Sequence, residues 1–213
     1  MQVAIFQFSL FGINTYVVFD PETKQCAIVD PGMSTPEEEE AIEDFIAEKG
    51  LTLTQIINTH LHIDHVAGIP FLRKKYGAPI LAHEGDSFLG ENLGEQARMF
   101  GLDLPLDNIE ISEYLKAGDK IKIGNGELQV ISVPGHSKGS IALYDPQAGF
   151  LISGDALFKG SIGRTDLPGG NYGELIDSIE KELLTLPDNT VVLPGHGPAS
   201  TIGDEKRSNP FLS

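Results

Sequence analysis

The chain has 213 residues, 40% of them hydrophobic, and carries 15 Lys and Arg against 31 Asp and Glu for a formal charge of −16. This is enough chain for one large domain with a good core, and the sign of the field argues against a polyanion such as DNA or RNA as partner. The single cysteine, Cys26, rules out an intramolecular disulfide and agrees with a reducing compartment, and no apolar run approaches the length of a membrane span.

Met-Gln-Val-Ala-Ile-Phe at the start lacks the basic region and small-residue cleavage site of a signal peptide, so the expected address is the cytoplasm. Val3–Phe8, Thr15–Phe19 and Ala27–Val29 read as short strands separated by turn signals, with Cys26 a small core residue. Pro36–Lys49 reads as a helix. Thr35 is its cap, Pro36 its first residue, and Glu37 to Glu40 complement its positive end. Ala41, Ile42, Phe45 and Ile46 form its apolar stripe, and Gly50 closes it. Gln55–Asn58 is a buried strand that runs into Thr59-His60-Leu61-His62-Ile63-Asp64-His65.

A second helix is predicted from near His65 through Phe71 to Tyr76, ending at Gly77, and Pro79–Ala82 is the next strand. Ser87–Gly101 is a weak helix, interrupted by Gly90 and Gly94, with the character of a lid. Lys120–Ile123, Leu128–Val133, Ser140–Tyr144 and Phe150–Ser153 are four further strands, Leu175–Leu186 an amphipathic helix, and Thr190–Leu193 a last strand. This order argues for two α/β halves with their sheets face to face and helices outside. Residues 1–213 show no linker, so one domain is expected.

Three histidines and a carboxylate within six residues point to metal, because neighbouring imidazoles repel when protonated and compete for partners when buried. The rest of the chain holds completing ligands. His136 lies in Val-Pro-Gly-His-Ser, Asp155 in Ile-Ser-Gly-Asp-Ala and His196 in Leu-Pro-Gly-His-Gly, each after an apolar run and beside a glycine. That is the setting of a residue at a strand end where the backbone must come close to something. His83, the sixth histidine, falls outside the pattern and reads as structural or rim-lying. Phe6, Phe8 and Phe19 read as core. Phe11, in a turn before Gly12, is either core or part of a site mouth.

His-x-His-x-Asp-His followed by isolated His, Asp and His resembles the metallo-β-lactamase fold hydrolases over nearly the whole chain. The resemblance implies an αβ/βα four-layer sandwich with the site at one edge. By analogy His60, His62 and His136 hold one metal, Asp64, His65 and His196 the other, and Asp155 bridges them. Two divalent ions, zinc first with iron or manganese as alternatives, are the implied cofactors. Gly154-Asp155-Ala156-Leu157-Phe158, Gly163-Arg164-Thr165-Asp166, Pro194-Gly195-His196-Gly197 and Asp204 to Phe211 look like the short bacterial members of the glyoxalase II branch. That branch hydrolyses acylated glutathione such as S-lactoylglutathione, through a hydroxide held between the metals. Asp64 is expected to help orient the nucleophile, and Asp30 and Thr59 to orient the imidazoles.

Arg164 matches a basic glutathione contact and is expected to anchor a substrate carboxylate; the alternative is a salt bridge to Asp166, and both can hold at once. A family tyrosine is replaced by Asp166 and another by the Gly197-Pro198 run, and the C-terminal helical domain of the larger enzymes has no counterpart before Ser213. Lys206 and Arg207 read as a solvated helix end. A persulfide dioxygenase with a single iron, which shares Gly-Arg-Thr-Asp, and a lactonase of the same fold are the alternatives. A small anionic substrate is the expected partner, with no nucleic acid and no membrane.

Overall fold

The computed structural model describes residues 1–102 and 107–212. β1 (Gln2–Gln7), β2 (Asn14–Phe19), β3 (Gln25–Val29), α1 (Pro36–Lys49) and β4 (Thr52–Ile57) come first. A 3-10 turn (Ile63–His65) and α2 (Ile69–Tyr76) follow, then β5 (Ile80–His83) and a second 3-10 turn (Glu84–Asp86). After these come α3 (Ser87–Gly90), α4 (Leu93–Phe100) and β6 (Glu113–Leu115). The second half holds β7 (Lys120–Ile123), β8 (Gly126–Ser132), β9 (Ile141–Asp145), β10 (Phe150–Gly154), β11 (Leu157–Phe158) and β12 (Ser161–Ile162). It ends with α5 (Tyr172–Ser178), a π-helical turn (Ile179–Leu183), β13 (Val191–Pro194), β14 (Ser200–Thr201) and α6 (Ile202–Ser208).

The strands form two six-stranded sheets, ordered β1-β2-β3-β4-β5-β6 and β14-β13-β10-β9-β8-β7, plus the β11-β12 hairpin. Side-chain alternation sorts each strand between two layers. Tyr16 and Val18 face the second sheet, where they meet Ile121, Val130, Leu143, Ile152 and Leu193. Val17 and Ile28 face outward onto Ile42 and Ile46 of α1 and Ile69 and Leu72 of α2. On the other outer face, Leu151 and Val192 pack against Leu175 of α5, Ile179 and Ile202. The result is the helix–sheet–sheet–helix sandwich that the resemblance implies.

α1 has the bounds read from sequence. The Thr35 hydroxyl accepts the Glu38 amide at 3.3 Å, and Gly50 adopts the left-handed conformation at its end. Its stripe is narrower than expected, since Ala41 lies exposed while Ile42 and Ile46 are buried. The helix predicted from His65 is broken. Asp64 and His65 sit in their own 3-10 turn, and α2 starts only at Ile69. The Gly68 amide donates to the Pro31 carbonyl at 2.8 Å, and a Cβ at Gly68 would come within 2.7 Å of the Met33 methyl, so the entry to α2 is tied to the Pro31–Met33 segment. The weak helix at 87–101 divides into α3 and α4 at Glu91-Asn92, and Leu175–Leu186 becomes α5 plus the π turn. Among the described residues no helix is long and apolar enough to cross a membrane.

Candidate metal centre

The chain leaves the ends of β4, β8, β10 and β13 toward one edge of the sandwich, and the predicted residues come together there. His60 and His62 follow β4, His136 follows β8, Asp155 follows β10 and His196 follows β13. A register shift between Ile152 and Gly154 in the β10–β13 pair bends the chain just before Asp155. Two glycines leave the room. Gly154 has φ +51, and a Cβ there would stand 2.5 Å from Thr59 Oγ1; a Cβ on Gly195 would stand 2.1 Å from Asp155 Oδ1. These glycines therefore let neighbouring loops pass the site residues.

Two groups of donor atoms converge. His62 Nδ1 lies 2.9 Å from His136 Nε2, which lies 3.2 Å from His60 Nε2. Asp64 Oδ2 lies 3.1 Å from His196 Nε2 and 3.8 Å from His65 Nε2. Asp155 reaches both: Oδ1 is 3.4 Å from His65 Nε2, and Oδ2 is 3.7 Å from His136 Nε2 and 3.6 Å from His196 Nε2. His60-His62-His136, His60-His65-Asp155 and Asp64-His65-His196 each offer ligand atoms close enough to share an ion.

The outward nitrogens explain why the inward ones are free. Thr59 Oγ1 donates to Asp30 Oδ2 at 2.6 Å and so can only accept from His60 Nδ1, 3.1 Å away. His65 Nδ1 faces Asp30 Oδ2 at 3.0 Å. His136 Nδ1 donates to the Arg164 carbonyl at 2.8 Å and His196 Nδ1 to the Phe11 carbonyl at 3.2 Å. In the neutral ring each contact places the proton on Nδ1 and turns the Nε2 lone pair toward the centre, the orientation that ligating histidines need. His62 is turned the other way, presenting Nδ1. Asp30 and Thr59 thus stand where the sequence suggested. Asp30 does so with φ +51, held by Thr15 Oγ1 donating to its carbonyl at 2.6 Å.

Burial, reinforced by the His65 and His136 imidazoles, holds His60 well below its ordinary pKa, and burial with His136 takes His62 to about 3. Both are neutral imidazoles, the form that binds metal. Burial would also lower His65, but Asp155, Asp30 and Asp64 around it raise it well above the ordinary value. Burial pushes the Asp64 and Asp155 carboxyls up; His65 and its neighbours reverse this, so both fall below the ordinary range. The buried His65 Nε2 and Asp155 Oδ1 have no hydrogen-bond partner among the described residues. Facing lone pairs, orphaned donors and two carboxylates fit a site for divalent cations. The cluster is therefore capable of binding metal.

A cleft of about 430 Å³ opens over the centre, lined by His62, Asp64, His136, Asp155 and His196 with Phe11, Phe100, Leu167 and Arg164. Phe11 is exposed, with its ring set edge-on against Phe100 at 5.5 Å; it belongs to the mouth and not to the core. Arg164 forms a two-pronged pair with Asp166, Nε to Oδ1 and Nη2 to Oδ2, both 2.7 Å. His83 stays outside the centre, its Nδ1 accepting the Gly85 amide at 3.0 Å. Lys206 and Arg207 lie on the last turn of α6, paired with Asp188 and Asp204. Cys26 is a buried core thiol that burial pushes up to about 12.

Sequence reading missed two supports. Gln96 of α4 accepts the Ile63 amide at 3.0 Å and donates to the Leu61 carbonyl at 3.2 Å, so α4 is pinned to the histidine run and is not a free lid. Asp86, wholly buried, accepts from the Leu61 amide, the Ser137 hydroxyl and the Gly139 amide. Neither stands out in the sequence: Asp86 lies between Gly85 and Ser87, and Gln96 between Glu95 and Ala97, settings that many surface positions share.

Residues 9–196 match the family model described as Metallo-beta-lactamase superfamily. Among curated relatives, the chain is 40% identical to the probable metallo-hydrolase YqgX of Bacillus subtilis, covering 94% of this chain and 92% of that one. It is 38% identical to the hydroxyacylglutathione hydrolase GloC of Haemophilus influenzae, covering 100% and 99%. Among solved structures, it is similar to the BLEG-1 B3 metallo-beta-lactamase (TM-score 0.90, 33% identity, all of both chains). It is also similar to the di-iron-bound form of TTHA1623 (TM-score 0.88, 37% identity, 99% and 100% covered). ETHE1 of Myxococcus xanthus gives a TM-score of 0.79 at 29% identity, with 99% and 84% covered.

Proposed function

The chain belongs to the metallo-beta-lactamase superfamily, and from that premise we propose that it is a metal-dependent thioester hydrolase acting on acylated glutathione, such as S-lactoylglutathione. The observation that carries the reading is Asp155, whose carboxylate is within reach of both donor groups, Oδ1 near His65 and Oδ2 between His136 and His196, with Arg164 on the rim of the same cleft. The likeness to GloC along both chains supports the substrate class.

In this reading His60, His62 and His136 would hold one divalent ion and Asp64, His65 and His196 a second, with Asp155 available to both. Zinc is the first candidate, and the likeness to a di-iron form keeps iron open. When bound, such ions supply Lewis acidity and water ionised near neutral pH. Asp64, at the cleft wall, orients the attacking water through its carboxylate. Arg164 receives a carboxylate of the substrate, and Phe11, Phe100 and Leu167 cover its apolar part and keep bulk water away. The leaving thiolate is stable enough that no side chain has to protonate it. We take residues 1–213 as one domain acting on a small molecule, and a cytoplasmic address goes with this reading.

The test is the initial rate of S-lactoylglutathione hydrolysis by metal-reconstituted protein against a metal-free control. Fast, metal-dependent cleavage is expected. A negligible rate with metal bound would overturn the substrate assignment. A second reading, a single-iron persulfide dioxygenase, draws on Gly163-Arg164-Thr165-Asp166 and on the similarity to ETHE1. Oxygen uptake with glutathione persulfide and one iron per chain would favour it.

A further inference from the structure

The two ligand loops of the three-histidine group come from different sheets. His60 and His62 follow β4 of the first sheet, and His136 follows β8 of the second. One backbone hydrogen bond joins the two segments, from the Ile141 amide to the Thr59 carbonyl at 2.8 Å, but it lies before His60 and beyond the His136 turn and does not reach the residues flanking the 2.9 and 3.2 Å imidazole contacts.

Asp86 spans that gap. Its Oδ2 accepts the amide of Leu61, the residue between His60 and His62, at 3.2 Å, and the hydroxyl of Ser137, the residue after His136, at 2.7 Å. Its Oδ1 accepts the Gly139 amide at 2.7 Å. One carboxylate therefore holds a group adjacent to each of the three histidines. The contact has no slack. A Cβ on Gly139 would come within 2.6 Å of the Asp86 amide, and one on Gly85 within 2.9 Å of the Lys138 carbonyl. Hydrogen bonds to an ionised acceptor are shorter and stronger than neutral ones, and their removal leaves buried amides without partners. The three-histidine group also brings no formal negative charge of its own, whereas Asp64 belongs to the other group.

We propose that Asp86 is a positioning residue: it fixes the His60–His62 loop against the His136 loop and so sets the metal affinity of the three-histidine group without touching the ion. This rests on the reading that the group holds a metal.

The test compares wild type, Asp86→Asn and Ser137→Ala, all metal-free at the start. Each is titrated with Zn²⁺ against a chromophoric chelator. Cadmium NMR separates the three-nitrogen environment from the one containing Asp64, and the thermal midpoint of each metal-free protein is recorded. Asp86→Asn is expected to weaken the three-histidine group by about tenfold to a hundredfold, the usual effect of losing an outer-shell partner, and to leave the Asp64-His65-His196 group unchanged. Ser137→Ala, which removes one donor and leaves no buried amide without a partner, should give a smaller loss at the same group. Equal weakening of both groups, or unchanged affinity with only a lowered thermal midpoint, would overturn the proposal. A wild type that takes up no metal would instead overturn the reading of the centre, and this proposal with it.

Discussion

Asp155 presents one oxygen to His65 and the other to His136 and His196, so its removal should affect both donor groups at once. Asp155→Ala is expected to lose metal and to fall to the rate of the metal-free protein, measured by metal content and turnover together. An active variant with full metal content would remove the bridging role. Arg164 illustrates competition at a single side chain. Its guanidinium is exposed and already engaged by Asp166, which lowers its readiness to take a substrate carboxylate. Arg164→Ala should raise KM for an anionic thioester by about tenfold to a hundredfold, the scale of a hydrogen bond to a charged group, and leave a neutral ester unaffected. Asp166→Asn should lower the same KM by releasing the arginine. Equal effects on both substrates would show that neither residue senses charge. The Arg164 backbone has a separate task, since its carbonyl fixes His136, and that contact should survive the alanine substitution.

At the scale of elements, α4 behaves as a brace. Gln96 satisfies the Ile63 amide and the Leu61 carbonyl from outside the histidine run, and also the Leu89 carbonyl at 3.0 Å. Gln96→Leu leaves that amide buried without a partner, so unfolding in urea should show a loss of about 1–3 kcal/mol. The loss should be accompanied by weaker metal binding; undiminished stability would mean that α4 docks by its apolar contacts alone. The same elements show what a sequence can reveal. α1 was legible to the residue because Thr35, Pro36 and Gly50 are local signals that act through hydrogen bonds within a few positions. The continuous helix from His65 was not, because the break before α2 goes with the Gly68 amide bonding to the Pro31 carbonyl, which is remote in sequence. The seven metal-centre candidates were legible because four lie in one short run and three sit beside glycine at strand ends. Of their supports, Asp30 and Thr59 were legible from position, but Phe11 and Arg164 were not, because they act through carbonyls that every residue carries. Asp86 acts through amides and a hydroxyl, and those partners become neighbours only after folding.

For the whole molecule, the −16 charge opposes the anionic substrate proposed for it. Screening shortens the reach of that field from about 30 Å at 0.01 M salt to about 10 Å at 0.1 M. Raising ionic strength over this range should therefore increase kcat/KM for the anionic thioester severalfold, the reverse of electrostatic steering, with a neutral ester as the flat control. A decrease would mean that the local field of Arg164 outweighs the global one. The division of the candidate ligands between sheets has a different consequence. His60, His62, Asp64 and His65 belong to the half that ends with β6; His136, Asp155 and His196 belong to the half that begins with β7. Each three-residue group therefore takes two members from one half and one from the other. If the backbone were cut between Leu115 and Lys120, neither fragment would hold a complete group; the pieces would rejoin through the core that Tyr16 and Val18 share with Ile121 and Val130, and in the proposed reading only the rejoined pair would take up metal, so metal uptake would report reassembly.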